Sequence, residues 1–336
     1  MERGIIRGWS IKLLLVVIVA ALATGCGNKD EIGNTQPSDK FETLRAYIQT
    51  WLSEAGDDWL LISSSQLKEE IVDDWGNQRE KCQIVSVRKP DDYNGAGHIP
   101  DAINIYWTDI ILDKSLARFG SHNTLILYCY YGHGSMISAT MLSLLGYRCN
   151  SLDFGMMDWN LDALVKEPWD QRADYDMETA VNRPKKTYPP PIIMSDQPDA
   201  KSIIKEMARK YLAGEGSPII RSASIKAIID NWNHKKGEYQ IVDVRSERDY
   251  ETGHVPHAIN IPWAGIAEIE NLRKLDPNRT VIVCSDNGQT GQLATTVLNL
   301  LDYDAVNMLF GMMDWNKAYV DVTKQWDGVT SYSVEY

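Results

Sequence analysis

One seven-residue string occurs twice in this chain: Phe154-Gly155-Met156-Met157-Asp158-Trp159-Asn160 returns letter for letter as Phe310 to Asn316. A string repeated at this distance means that one folding unit is written twice. Other blocks agree. Gly97-His98-Ile99-Pro100 with Ala102-Ile103-Asn104-Ile105 returns as Gly253-His254-Val255-Pro256 with Ala258-Ile259-Asn260-Ile261. Ile84-Val85-Ser86-Val87-Arg88 returns as Ile241-Val242-Asp243-Val244-Arg245, and the letter Cys129 is answered by Cys284. The leading segments 41–54 and 200–213 match as well, with apolar residues three and four apart, as on an amphipathic helix.

Within each copy the pattern alternates. Short β-branched strands (83–87 and 240–244) precede a second apolar piece (103–106 and 259–262). A fully apolar strand (124–128 and 280–283) then runs into the cysteine, and helices are expected over 135–145 and 291–301. Continuous apolar strands alternating with helices indicate a parallel sheet covered on both faces. The fold class read from this is α/β: two tandem domains, residues 41–170 and 200–336, each a parallel sheet flanked by helices. Residues 171–199 link them, and the prolines from Pro184 to Pro198 make that connector stiff and extended.

The N-terminus reads as a targeting signal: Arg3, Arg7 and Lys12, then the apolar run Leu13 to Ala23. The run is too short to span a bilayer comfortably. Leu22-Ala23-Thr24-Gly25-Cys26 resembles the lipobox of bacterial lipoproteins, which implies removal of residues 1–25 and acylation of Cys26; a plain secretory peptide is the alternative. Residues 26–40 then form a polar tether. The expected location is the cell envelope, on the periplasmic face of the outer membrane, with a membrane contact through the lipid and an envelope protein as a further partner. A net charge of −12 argues against nucleic acid as a partner.

The five cysteines (26, 82, 129, 149 and 284) form no CxxC pair and no zinc spacing, so no metal is expected. Cys82 and Cys149 are the one pair within a copy that could bridge, which sequence leaves open. The loops after the apolar strands carry the chemistry. They read Cys129-Tyr130-Tyr131-Gly132-His133-Gly134-Ser135 and Cys284-Ser285-Asp286-Asn287-Gly288-Gln289-Thr290-Gly291. A strand ending in cysteine, a glycine turn and a helix start together make an anion nest of backbone N–H groups, in which a thiolate is favoured. A buried structural cysteine closing a core strand is the alternative.

The blocks (D/S)VR, GHxPxAINI, strand-Cys-Gly loop-helix and GMMDW together resemble the rhodanese superfamily in both copies. The resemblance implies sulfur transfer: a loop thiolate takes sulfane sulfur from a small donor, holds it as a persulfide and passes it to a thiol acceptor, without cofactor. Both Cys129 and Cys284 are candidates. Cys284 ranks first, because copy two keeps the family's Asp243 where copy one has Ser86. Arg88, Arg245, His98 and His254 are expected to hold turns. Neither loop carries the basic residue common in the family, and the loop of copy two counts one residue longer before its glycine. A non-catalytic binding module of an envelope complex is the alternative function.

Overall fold

The computed structural model describes residues 39–54, 60–120, 124–170, 173–184, 186–214, 217–328 and 330–336. The export signal, Cys26 and most of the tether lie outside the described residues. Helix α1 (Asp39–Ser53) buries Phe41, Leu44, Ile48 and Leu52, spaced three and four residues apart along one face. The first sheet follows: β1 (Leu61–Ile62), β2 (Cys82–Ser86), β3 (Ile103–Asn104), β4 (Thr124–Tyr128) and β5 (Cys149–Leu152). Helix α2 (His133–Leu144) leaves β4, and the short α3 (Met156–Trp159) follows β5.

The second copy repeats this with α4 (Ala200–Leu212), β6 (Ile219–Ile220), β7 (Tyr239–Asp243), β8 (Ile259–Asn260), β9 (Thr280–Cys284), α5 (Gln289–Leu300), β10 (Ala305–Met308) and α6 (Gly311–Asn316). Asp199 caps α4 by accepting the Ser202 N–H at 3.1 Å. The sheets have orders β1-β5-β4-β2-β3 and β6-β10-β9-β7-β8, and every pairing is parallel. Strand β4 stands between Cys82 on β2 and Cys149 on β5, so the two thiols are two strand spacings apart. That is about 9–10 Å, beyond disulfide reach. Both are free thiols.

Helices α2 and α5 pack against each other, as do α1 and α4, and one apolar core runs through both copies. The connector and the C-terminal tail change places. Tyr175 N–H donates to Trp315 O at 3.0 Å and the Trp315 indole donates to Asp176 O at 3.1 Å. In mirror fashion Tyr332 N–H donates to Trp159 O, and the Trp159 indole to Ser333 O, both at 3.1 Å. Trp169 reaches Asp314 Oδ1 at 3.1 Å, and Trp326 reaches Asp158 Oδ1 at 3.2 Å. Thus the segment after copy one closes copy two, and residues 326–328 and 330–335 close copy one. Both repeated Asp-Trp pairs are sockets for the other copy's tail. Among the described residues no helix is long and apolar enough to cross a membrane.

Candidate functional site

Strand β4 ends at Tyr128 and Cys129 is the next residue, 6% exposed at the mouth of the loop. Gly132 turns the chain in the left-handed region (φ +89°), and α2 starts at His133. His133, Gly134 and Ser135, expected in the loop, therefore form the first helical turn and aim its free N–H groups at the loop. The turn into α3 grips the other side: Met156 N–H donates to Cys129 O and Met157 N–H to Tyr130 O, both at 3.0 Å. Gly155 has φ +55°, and a Cβ there would lie 2.6 Å from Cys129 O, so only glycine lets the two turns meet. Ser135 Oγ lies 3.7 Å from Cys129 Sγ and receives a hydrogen bond of 2.8 Å from the Ser151 hydroxyl.

In copy two the letter match between the cysteines does not hold. Val244 N–H donates to Cys284 O at 2.9 Å, as Val87 N–H does to Tyr128 O. Met312 N–H donates to Ser285 O, as Met156 N–H does to Cys129 O. Cys284 is therefore the counterpart of Tyr128, the last residue of its strand, and Ser285 stands where Cys129 does. Successive strand residues face opposite sides of a sheet. One step back from the loop sends the Cys284 thiol into the core with Ile241, Tyr250, Val255 and Trp315, fully buried. Burial, reinforced by Asp243, pushes that thiol well above its ordinary value, against the opposing pull of Arg245. The expectation of a favoured thiolate thus fails for Cys284, and with it the ranking of Cys284 first. The loops are equally long: Gly288 has φ +89°, like Gly132, and α5 starts at Gln289. Gln289, Thr290 and Gly291 are helical, and Asn287 Oδ1 accepts the Gln289 N–H at 3.1 Å. Ser285 Oγ accepts the Gly288 N–H at 3.0 Å, which shows where this backbone aims its donors.

Asp243 does not touch a loop nucleophile. It forms a fully buried pair with Arg245 (Nη2–Oδ2 2.7 Å), which also donates to Gly253 O and Tyr319 O. Copy one has no carboxylate here. Arg88 donates to Ala163 O at 2.9 Å and Gly97 O at 2.5 Å, and lies 5.6 Å from the Tyr128 ring centre. Both arginines thus tie the turn before the GHxP segment to the end of the domain. The histidines of that segment stack on tyrosines, His98 on Tyr93 at 4.0 Å and His254 on Tyr250 at 3.7 Å.

The rhodanese-like domain family matches the chain twice, at residues 66–162 and 227–318, more than half of its length. The chain belongs to that family. A thiosulfate sulfurtransferase from Pseudomonas aeruginosa is 14% identical, with 88% of this chain and 50% of that one covered and a TM-score of 0.30. A rhodanese-related protein from Thermoplasma volcanium is 21% identical over 31% of this chain and 94% of its own, with a TM-score of 0.26. A rhodanese-like domain protein from Staphylococcus aureus is 27% identical over 29% and 88%, also at 0.26. No curated protein matches the chain.

Around the rhodanese-like loop of the first domain, tertiary structure supplies cations that the loop lacks. Lys166 Nζ lies 5.1 Å from the centre of the Tyr130 ring, and Arg88 lies 6.0 Å from it. Tyr130 is pushed up by burial and by its hydrogen bond to Asp92. Burial pushes Tyr131 up to about 12, with Arg221 of the second domain pulling the other way. Sequence reading missed Lys166 and Arg221, since neither has a motif. At the second domain's loop, Lys324 holds Asp286 (Nζ–Oδ2 2.8 Å), whose carboxyl is raised by burial. A cavity of about 590 Å³ opens there, lined by Arg245, Asp286, Asn287 and Thr290 and by Ser63 and Asp153 of the first domain. Among the described residues no group of three or more His, Cys, Asp or Glu side chains is placed to hold a metal.

The two loops also touch each other. Gln289 Nε2 donates to Tyr131 O at 2.9 Å, and His133 Nδ1 lies 3.1 Å from Asn307 Nδ2. Burial lowers His133 to about 4, against a hydrogen bond with the Gly288 backbone that raises it. The unfolded chain takes up this proton below about pH 6.5, the folded one only near pH 4. Stability from this site is therefore complete above pH 6.5 and falls as the pH drops toward 4, by on the order of 3 kcal/mol. Unfolding curves between pH 7 and 4 should show the loss in the wild type and not in His133→Gln, which carries the second domain's residue. Parallel curves for the two proteins would refute the assignment.

Proposed function

We propose that the protein is a sulfurtransferase or persulfide carrier that holds sulfur on Cys129 alone. The observation that carries this reading is the cradle in the first domain: a cysteine one residue past its strand, a left-handed glycine and a helix start. The same cradle in the second domain holds Ser285. The Cys129 thiolate attacks the terminal sulfane sulfur of a donor such as polysulfide. An S–Sγ bond forms, the donor's S–S bond breaks, and its electron pair leaves on the remaining donor sulfur. An acceptor thiolate then attacks the outer sulfur and releases the Cys129 thiolate. Backbone donors and the Ser135 hydroxyl stabilise the anion at both stages, and Lys166 and Arg221 draw an anionic donor to the rim. With no cation inside the loop, polysulfide should load the site better than thiosulfate. The second domain, with serine in the loop and Cys284 in its core, fits the non-catalytic reading.

Intact and peptide mass after exposure to polysulfide tests this. Cys129 should gain about 32 Da, reversed by excess thiol. Cys129→Ser should gain nothing, and Cys284→Ser should load like the wild type. Loading that survives Cys129→Ser, or a wild type that stays unmodified, overturns the reading.

The proposed location is the cell envelope, supported by the lipobox-like segment ending at Cys26. The wild type should partition into detergent and Cys26→Ser should not. Soluble wild-type protein beginning elsewhere than Cys26 refutes the anchor.

A further inference from the structure

We propose that Gln289, in the domain without a loop cysteine, is a positioning residue for the anion cradle around Cys129. The inference rests on the reading of Cys129 as the nucleophile. A trans peptide is a rigid plane whose C=O and N–H point in opposite directions. The plane between Tyr131 and Gly132 has its carbonyl held by Gln289 Nε2 at 2.9 Å, so its N–H is turned inward, away from the second domain. The second loop shows where such an N–H arrives. Gly288 has the φ of Gly132, +89° in both, and its N–H donates to Ser285 Oγ at 3.0 Å. The equivalent donor in the first domain therefore faces Cys129 Sγ.

The contact is close and protected from water. Gln289 is fully buried, and a Cβ added to Gly132 would lie 2.5 Å from its amide. A hydrogen bond on a peptide carbonyl also polarises the N–H of the same plane, which strengthens it as a donor to an anion. His133 occupies the position of Gln289 and meets the second loop at the Gly288 backbone and the Asn307 amide. The two loops therefore brace each other, and Gln289 is the member of the pair that reaches the loop keeping the cysteine. The serine-bearing domain is thereby a scaffold that tunes its twin.

The test is the pH profile of Cys129 alkylation by iodoacetamide in the full chain, read peptide by peptide. Gln289→Met keeps the bulk and removes the donor. It should make alkylation near pH 6.5 roughly tenfold slower while the plateau at high pH is unchanged. Gln289→Ala should show the same shift. Thr295→Val removes another buried polar group from α5 and should leave the profile in place. Unshifted profiles in both Gln289 variants overturn the proposal. So does an equal shift in Thr295→Val, which would show general loosening of the interface. Failure of wild-type Cys129 to take up sulfur would instead overturn the proposed function, and the alkylation profiles would still decide the role of Gln289.

Discussion

Removing residues 325–336 is expected to open the first domain while the second stays folded. The tail supplies Trp326 to Asp158, the Thr330 hydroxyl to Asp158 O, and Tyr332 against the face of the buried Trp159, with ring centres 4.9 Å apart. It also satisfies the Trp159 indole and the Asn160 amide, which donates to Tyr332 O at 2.8 Å. Loss of one large packed aromatic costs about 3–5 kcal/mol, and each polar group left buried without a partner adds about 1–3 kcal/mol. That total is comparable to the net stability of a domain. Hydrogen exchange read by mass spectrometry should show lost protection in β2, β4 and β5, with β7 and β9 protected longer. Equal loss in both sheets, or a melting temperature within about 2 °C of the full chain, would show that the exchanged tails are surface decoration.

Asp243→Ala is expected to be the most damaging single substitution, costing about 3–5 kcal/mol in the second domain, because it strands the Arg245 guanidinium in the core without its carboxylate. Adding Arg245→Met to it should recover much of the loss, since a buried pair replaced as a whole is far cheaper than one half removed. The corresponding change in the first domain, Ser86→Ala, should cost less than about 1 kcal/mol. Arg88 there leans on the Ala163 and Gly97 carbonyls, and the Ser86 hydroxyl is a distant 3.5 Å from Nε. Denaturant titrations followed by exchange in each domain separate the two. An Asp243→Ala loss below about 1 kcal/mol would show that backbone carbonyls suffice for both arginines.

The architecture was readable because its causes are local. The repeated blocks specify two copies, and each apolar run of β-branched residues makes a strand wherever it is placed. Strand β4 has the residues expected from its pattern, 124–128, and both leading helices lie within two residues of their expected ends. Helix starts were misplaced by two residues because Gly132 and Gly288 end the loops sooner than the small residues that follow suggested.

The candidate site was only half readable, and the failure has one cause. Matching Cys129 to Cys284 by letter imposed a longer loop on copy two, whereas the ladder matches Tyr128 to Cys284. Register is set by hydrogen bonds to the neighbouring strand, and one residue of slip moves a side chain to the other face of the sheet. The sequence does carry a signal of that register, which a match by letter passes over: Gly97 and Gly253, Thr124 and Thr280, Gly132 and Gly288, and Phe154 and Phe310 are all 156 residues apart, a spacing that places Ser285 opposite Cys129.

By itself, then, the sequence determined the two rhodanese-like folds, their order, and a cysteine loop at the carboxyl end of a parallel strand, since propensity, periodicity and glycine placement act over a few residues. Tertiary structure alone decided that each tail closes the other domain, that Lys166 stands over the Tyr130 ring of the first loop, and that Gln289 braces that loop. Those outcomes depend on pairing and packing between residues far apart in the chain, where many alternatives share the same local pattern and only the assembled core selects one.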